Sequence, residues 1–401
     1  MFAIRFIYAL SLLGLFCLNN VLSAPILVRR PRSISSSPAL PPRSTTSFSP
    51  PYFVVYTDAG PDPAPPVEDI QGVNVVIMSF LLSTGAADMA HNWAIMGKDA
   101  QSAIKDKYKA AGIKLLVSAF GSTEKPTTSG TNPTELAQTM ATWVKENQVD
   151  GIDIDWEDND AMNKADGSAE TWLIEFTKEL RNQLPQGQYI LTHAPQAPWL
   201  STGTQWNGKA YVQVNQEVGS MIDWYNVQWY SQGPGEYETC DKLINDSGSS
   251  NPNSALFQVV EHGFDVQKLV IGKPATDTSA TNGYIDPATL AGCLPQAIQK
   301  GWSAGIMVWE YQAGVMDFFS TVRAAFPEGA PSIDAGSSSA AASAPDSTGS
   351  SAAASAPDAT SSPTATSVSD TAPTTTSVPS PNGSSAGKCK CKSPNGQPHN
   401  R

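Results

Sequence analysis

Eight short runs of β-branched and aromatic residues recur along one uninterrupted stretch of the chain, with helix-like segments between most of them. The runs occupy 53–56, 74–80, 114–120, 151–156, 188–192, 224–230, 268–272 and 305–311. The patterning between them predicts helices over about 99–112, 133–147, 168–184, 253–262, 286–300 and 315–326. Asn132-Pro133 and Asp286-Pro287 each place a capping side chain before a proline, whose missing N–H is no loss in a first turn. Glu135 lies three residues after Asn132, at capping-box spacing. The crossovers at 59–73 and 196–221 read as loops with short turns. Eight strands alternating with helices over about 275 residues predict an α/β fold, the (β/α)8 TIM barrel. The rival is an open doubly wound sheet. It needs a Gly-rich nucleotide-binding turn after the first strand, and Thr57-Asp58-Ala59-Gly60 is not one.

The flanks differ in composition. Residues 1–23 read as a secretory signal peptide: Arg5, then a largely apolar run from Phe6 to Leu18, then Val21-Leu22-Ser23 before cleavage ahead of Ala24. The apolar run is too short to span a bilayer, which disfavours the alternative of a membrane anchor. Residues 24–50 are rich in Pro, Ser and Arg and are expected to form a disordered arm. Within it, Arg29-Arg30 reads equally as a dibasic processing site or as two exposed arginines. Residues 329–401 form a tail rich in Ser, Thr, Ala and Pro, which cannot bury enough apolar surface to offset its chain entropy. In an exported protein such a tract reads as an O-glycosylated stalk. A catalytic barrel over 51–328 is thus expected between arm and tail, in a secreted, extracellular protein with a route to cell-wall association.

The formal charge of −12 argues against nucleic acid and anionic lipid as partners, since both need a basic face. Four scattered His do not assemble a zinc site, and neither metal nor cofactor is called for. Cys240 and Cys293 can pair in an oxidising compartment, whereas Cys389 and Cys391 lack further ligands to complete a metal site. Asn245-Asp246-Ser247 and Asn382-Gly383-Ser384 are N-glycosylation acceptors. A monomer without membrane insertion is expected.

The fourth run carries the chemistry. It reads Asp150-Gly-Ile-Asp153-Ile-Asp155-Trp-Glu157. Strand side chains alternate, so Asp153, Asp155 and Glu157 share one face and Ile152, Ile154 and Trp156 the other. With the apolar set against the helices, the acids line the barrel. Buried carboxylates at this spacing, roughly 6.5–7 Å apart, favour keeping at least one protonated. Glu157, outermost at the carboxyl end where barrel chemistry occurs, is placed to be a general acid. A calcium loop is excluded because Asp158 stands where its glycine belongs.

This octet resembles the DxxDxDxE signature of glycoside hydrolase family 18. In chain order, Leu191-Thr-His-Ala-Pro195-Gln196, Asn226-Val-Gln228-Trp-Tyr230 and Gly305-Ile-Met-Val-Trp309 are similar to further strand signatures of its plant and fungal class III chitinases. The resemblance implies a substrate-assisted retaining hydrolase acting on chitin or other N-acetylglucosamine-containing oligosaccharide. It implies that Glu157 protonates the glycosidic oxygen and that Asp155 holds the substrate acetamido N–H. Asp153 is implied to share a proton with Asp155, and Tyr230 to donate to the acetamido carbonyl. Tyr56, Gln228 and Trp309 are implied to line the subsite, Trp309 as its apolar floor, with Asp150 completing the substrate-binding set. His193 reads as either a cleft residue or a bonded core histidine. One departure stands out: the family's SxGG third strand here reads Ser118-Ala119-Phe120-Gly121, with Ser118 expected to bond toward Asp150 and Phe120 expected to crowd the interior. Three activities fit: an endo-acting chitinase, an endo-β-N-acetylglucosaminidase cutting the chitobiose core of N-glycans, or a non-catalytic lectin on the same barrel.

Overall fold

The computed structural model describes residues 48–327 other than residue 61. The expected signal, arm up to residue 47, tail, Arg29-Arg30, Cys389, Cys391 and Asn382 lie outside the described residues.

Among the described residues nine strands form one sheet: β1 (Tyr52–Thr57), β2 (Val75–Leu82), β3 (Gly85–Ala86), β4 (Lys114–Gly121), β5 (Gly151–Trp156), β6 (Ile190–His193), β7 (Trp224–Gln228), β8 (Leu269–Pro274) and β9 (Gly305–Trp309). The order is β1-β9-β8-β7-β6-β5-β4-β2-β3, and a β1–β2 pairing closes the cylinder. Eight strands are parallel, and β3 is a two-residue antiparallel addition to β2. Closure is registered by Tyr52 opposite Gly305 and by Val54 opposite Val75. At Gly305 the close approach requires glycine, since a Cβ there would lie 1.9 Å from the Tyr52 carbonyl oxygen. The sheet is thus the expected (β/α)8 barrel.

The helices are α1 (Asp88–Ile95), α2 (Lys98–Ala110), α3 (Pro133–Glu146), α4 (Asn159–Met162), α5 (Ser168–Gln183), α6 (Tyr211–Val218), α7 (Cys240–Ile244), α8 (Leu256–Glu261), α9 (Pro287–Gln299) and α10 (Val315–Arg323). Asn132 caps α3 by accepting the Thr134 and Glu135 N–H groups, and Asp286 caps α9 by accepting that of Thr289. The fifth crossover corrects the loop expectation, because it contains α6. There Tyr211, Val212, Val214 and Val218 supply a buried stripe at i, i+1, i+3 and i+7. The β-branched content and short length hid it from a propensity reading. No helix of the described residues is long and apolar enough to cross a membrane.

Cys240 at the start of α7 and Cys293 in α9 form a disulfide across 53 residues of sequence. Replacing both by Ala is expected to cost about 2–4 kcal/mol of stability, because the unfolded chain regains the freedom of that loop. Urea unfolding with and without reductant measures it, and equal midpoints for wild type and variant would show the bridge to be inert.

Candidate active site

The carboxylates of β5 form a ladder up the barrel axis. Asp153, deepest, is fully buried and accepts four hydrogen bonds: from Tyr56 Oη (2.8 Å) and Ser118 Oγ (2.9 Å) on Oδ2, and from Thr192 Oγ1 (2.5 Å) and Asn226 Nδ2 (3.0 Å) on Oδ1. The donors come from β1, β4, β6 and β7, so one carboxylate is tied to four other strands of the cylinder. Burial raises its pKa, and the four donors oppose that.

Asp155, one pleat higher, accepts from Gln228 Nε2 at 2.8 Å. Its pKa is raised well above the usual carboxylate value, first by burial, then by the charges of Glu157 and Asp153. Glu157 follows at the end of the strand. It accepts from Gln196 Nε2 at 2.9 Å on Oε2 and, weakly at 3.5 Å, from Gln228 Nε2 on Oε1. Burial raises its pKa too, against the pull of those two amides. Burial thus strengthens the hold on protons at both upper carboxyls, most of all at Asp155.

Around the acids stands an aromatic wall. Trp309, at the end of β9, is partly exposed and packs on Tyr56 (5.6 Å between ring centroids) and nearly parallel to Phe80 (6.1 Å). Peptide bonds Ser79–Phe80 and Trp309–Glu310 are both cis. Gly121, at φ +76°, leaves the space under the Phe80 ring that a Cβ would fill at 2.9 Å. Tyr230 lies just past β7 and is buried. Burial and the charges of Asp155, Glu157 and Asp153 raise its pKa well above 10, which keeps its hydroxyl a donor.

Most of the expected residues thus converge on one cleft: Glu157, Asp155, Asp153, Tyr230, Tyr56, Gln228 and Trp309. Asp150 does not. It sits before the amino end of β5, about 20 Å of strand from Glu157. There it accepts the Leu115 N–H at 2.8 Å and pairs with Lys105, so it fastens β5 to β4 and α2 at the bottom of the barrel. The expected Ser118 bond goes to Asp153, not Asp150. Phe120 does not crowd the interior either. Its φ of +80° breaks the strand alternation and turns the ring outward onto Trp172 and Phe176 of α5, at 5.7 and 5.4 Å. The backbone conformation that glycine adopts freely is kept, at a cost offset by aromatic packing.

His193 faces away from the cleft. Its ring lies between Thr177 Oγ1 and Tyr211 Oη, each at 3.2 Å, and burial followed by the Arg181 charge pushes its pKa down to about 3. It is a neutral core histidine. Sequence reasoning missed Gln196, Phe80 and Glu310 as cleft residues. Gln196 was visible as the last residue of the fifth-strand run. Glu310 follows Trp309 and has a buried Oε2 with no partner among the described residues. Burial and the Asp58 charge raise its pKa. No group of three or more His, Cys, Asp or Glu among the described residues is placed to hold a metal.

A closed barrel with an acid at the carboxyl end of its fourth parallel strand, framed by aromatic rings, is the architecture of a glycosidase. The chain belongs to the glycosyl hydrolases family 18, whose family model matches residues 51–315. It is similar to a crystal structure of a GH18 chitinase from Pseudoalteromonas aurantia, 29% identical with a TM-score of 0.57, over 69% of this chain and all of that one. It is 24% identical over 271 residues to a class III chitinase of Arthroderma benhamiae, covering 65% of this chain and 70% of the relative. It is also 29% identical over 153 residues to the secreted chitinase LysM12 of Penicillium expansum, a match that spans 36% of this chain and one tenth of that protein's length.

Proposed function

We propose that the protein is a secreted, endo-acting chitinase that hydrolyses β-1,4 bonds between N-acetylglucosamine units with retention of configuration. The observation that carries this reading is the stacked trio Asp153, Asp155 and Glu157 beside an aromatic wall, with Glu157 outermost. The relatives named as chitinases, one of them secreted, support the substrate and the location.

The sugar at the reacting position rests its apolar face on Trp309. Glu157 gives its proton to the glycosidic oxygen as that bond breaks. The carbonyl oxygen of the sugar's own acetamido group attacks the anomeric carbon, and a cyclic oxazolinium ion forms in place of an enzyme ester. Asp155 accepts the acetamido N–H and faces the developing positive charge, while Tyr230 donates to the carbonyl oxygen. Water then opens the ring, delivering a proton to the Glu157 carboxylate and restoring it. Asp153, held by four donors, fixes the foot of the ladder. The described domain spans 51–327, and we assign the leader, arm and stalk the roles their composition implies.

Incubating the full chain with chitin oligosaccharides, and separately with a high-mannose glycoprotein, tests the reading. Mass analysis should show shortened acetylglucosamine oligomers as the main products. Release of intact glycan with the oligomers untouched would assign the endo-β-N-acetylglucosaminidase activity instead. Binding without cleavage of either would make the barrel a lectin.

A further inference from the structure

Lys273 is a fully buried lysine in β8 that the proposed chemistry leaves unused. Among the described residues no carboxylate pairs with it. Its Nζ donates instead to three main-chain carbonyls: Trp229 at 2.9 Å, Tyr237 at 2.7 Å and Gly283 at 2.9 Å. The first two belong to the loop after β7 and the third to the loop after β8. Only an ammonium has three N–H groups, so this bond set calls for the charged form. Burial works against it and lowers the pKa well below the usual lysine value. A shielded cation with no carboxylate in contact is costly, the nearby Glu238 charge opposing only part of the burial effect, and the same three carbonyls would be satisfied by water on an open surface.

What the clamp holds is the segment carrying Tyr230. The strand ladder of β7 ends at Gln228, so Tyr230 lies two residues beyond its support. The carbonyl of the preceding residue, Trp229, is one of the three acceptors. Gly283, whose carbonyl is another, has φ +90° and lies against Tyr230: a Cβ there would stand 2.6 Å from Tyr230 Cα and 2.9 Å from its Cβ. The Ser231 N–H donates to the Asn282 carbonyl at 3.0 Å and closes the seam on the far side.

We propose that Lys273 is a positioning residue: its ammonium ties the loops after β7 and β8 together through Trp229, Tyr237 and Gly283, and so seats the Tyr230 hydroxyl at the reacting sugar. The role of Tyr230 in this statement rests on the chitinase reading, whereas the seating of its ring does not. Lys273→Met, Tyr230→Phe and the double variant of the full chain should be assayed on whichever of the two substrates the wild type cleaves. Lys273→Met is expected to lower kcat by about 10²-fold, the scale of a 1 Å misplacement, with KM changed less than about threefold. In the Tyr230→Phe background the same substitution should cost less than about threefold, because the group it positions is gone. A crystal structure of Lys273→Met should show the Tyr230 ring displaced. Multiplicative losses in the double variant, or an unmoved ring, overturn the proposal. Lys273→Gln keeps two donors and should fall between wild type and Lys273→Met. If neither variant reaches the native circular dichroism, the lysine serves folding alone and the proposal fails. A wild type that cleaves neither substrate overturns the chitinase reading, and the ring position then still decides the clamp.

Discussion

Glu157→Gln is expected to lower kcat at least about a thousandfold on chitin oligosaccharides, within the range that general acid catalysis supplies, while binding changes no more than a few-fold. The substitution is nearly isosteric. Gln196 donates to Oε2 at 2.9 Å, and an amide oxygen turned toward it accepts the same bond. What disappears is the transferable proton, whose hold on the carboxyl burial strengthens. Because that proton is needed only as the glycosidic bond breaks, its loss appears in turnover and leaves affinity largely intact. Wild-type activity should fall as pH rises through the elevated pKa of Glu157, and the variant's residual rate should lack that limb. Steady-state rates paired with calorimetric titration of an oligosaccharide measure both quantities. A variant retaining a tenth of wild-type kcat would remove Glu157 from the role of acid.

Asp155→Asn should lose about 10²- to 10³-fold in kcat, the scale seen when a group facing transition-state charge is neutralised, and gain stability at neutral pH. The two effects share one cause. Asp155 is buried beside Glu157 and Asp153, and its pKa stands well above the ordinary carboxylate value. The folded state therefore binds that proton more tightly than the unfolded chain does. Relative to a neutral side chain, no penalty exists below the unfolded pKa near about 3.9. The penalty grows as pH rises from there through the folded value. Asn carries no such burden and still accepts the Gln228 N–H made at 2.8 Å. Its melting temperature should exceed that of the wild type at pH 7, by about 2–4 °C for each kcal/mol relieved, and match it near pH 3. A difference that persists unchanged at both pH values would refute burial of the charge as its origin.

The acidic face was readable from residues 151–157 because strand alternation is a local rule, and Asp153, Asp155 and Glu157 obey it. Tyr56 and Trp309 were legible only through the family resemblance, Trp309 at the end of the Gly305-Ile-Met-Val-Trp309 run. Asp150 was misplaced for a physical reason. It belongs to the signature octet, yet its parity is opposite to that of Asp153, Asp155 and Glu157 and it precedes the first residue of β5. Phe120 escaped for the opposite reason, since a positive φ suspends the alternation that the prediction assumes. Phe80 reaches the cleft through contacts between strands remote in sequence, which no local pattern encodes. α6 was missed because only burial against its neighbours selects so short a β-branched helix.

Closure of the cylinder also sets a timetable. Tyr56 emerges in synthesis about 250 residues before β9, the strand that covers the free edge of β1 (Tyr52 opposite Gly305). Until Gly305 meets Tyr52, β1 exposes an unpaired backbone ribbon and the cleft has no Trp309 floor. Pairings between such distant segments form slowly, because the chain entropy is lost before the contacts are gained. A chain that has not yet closed therefore carries an open sheet border able to pair with other chains. Truncation before residue 305 should yield a chain that is insoluble as well as inactive.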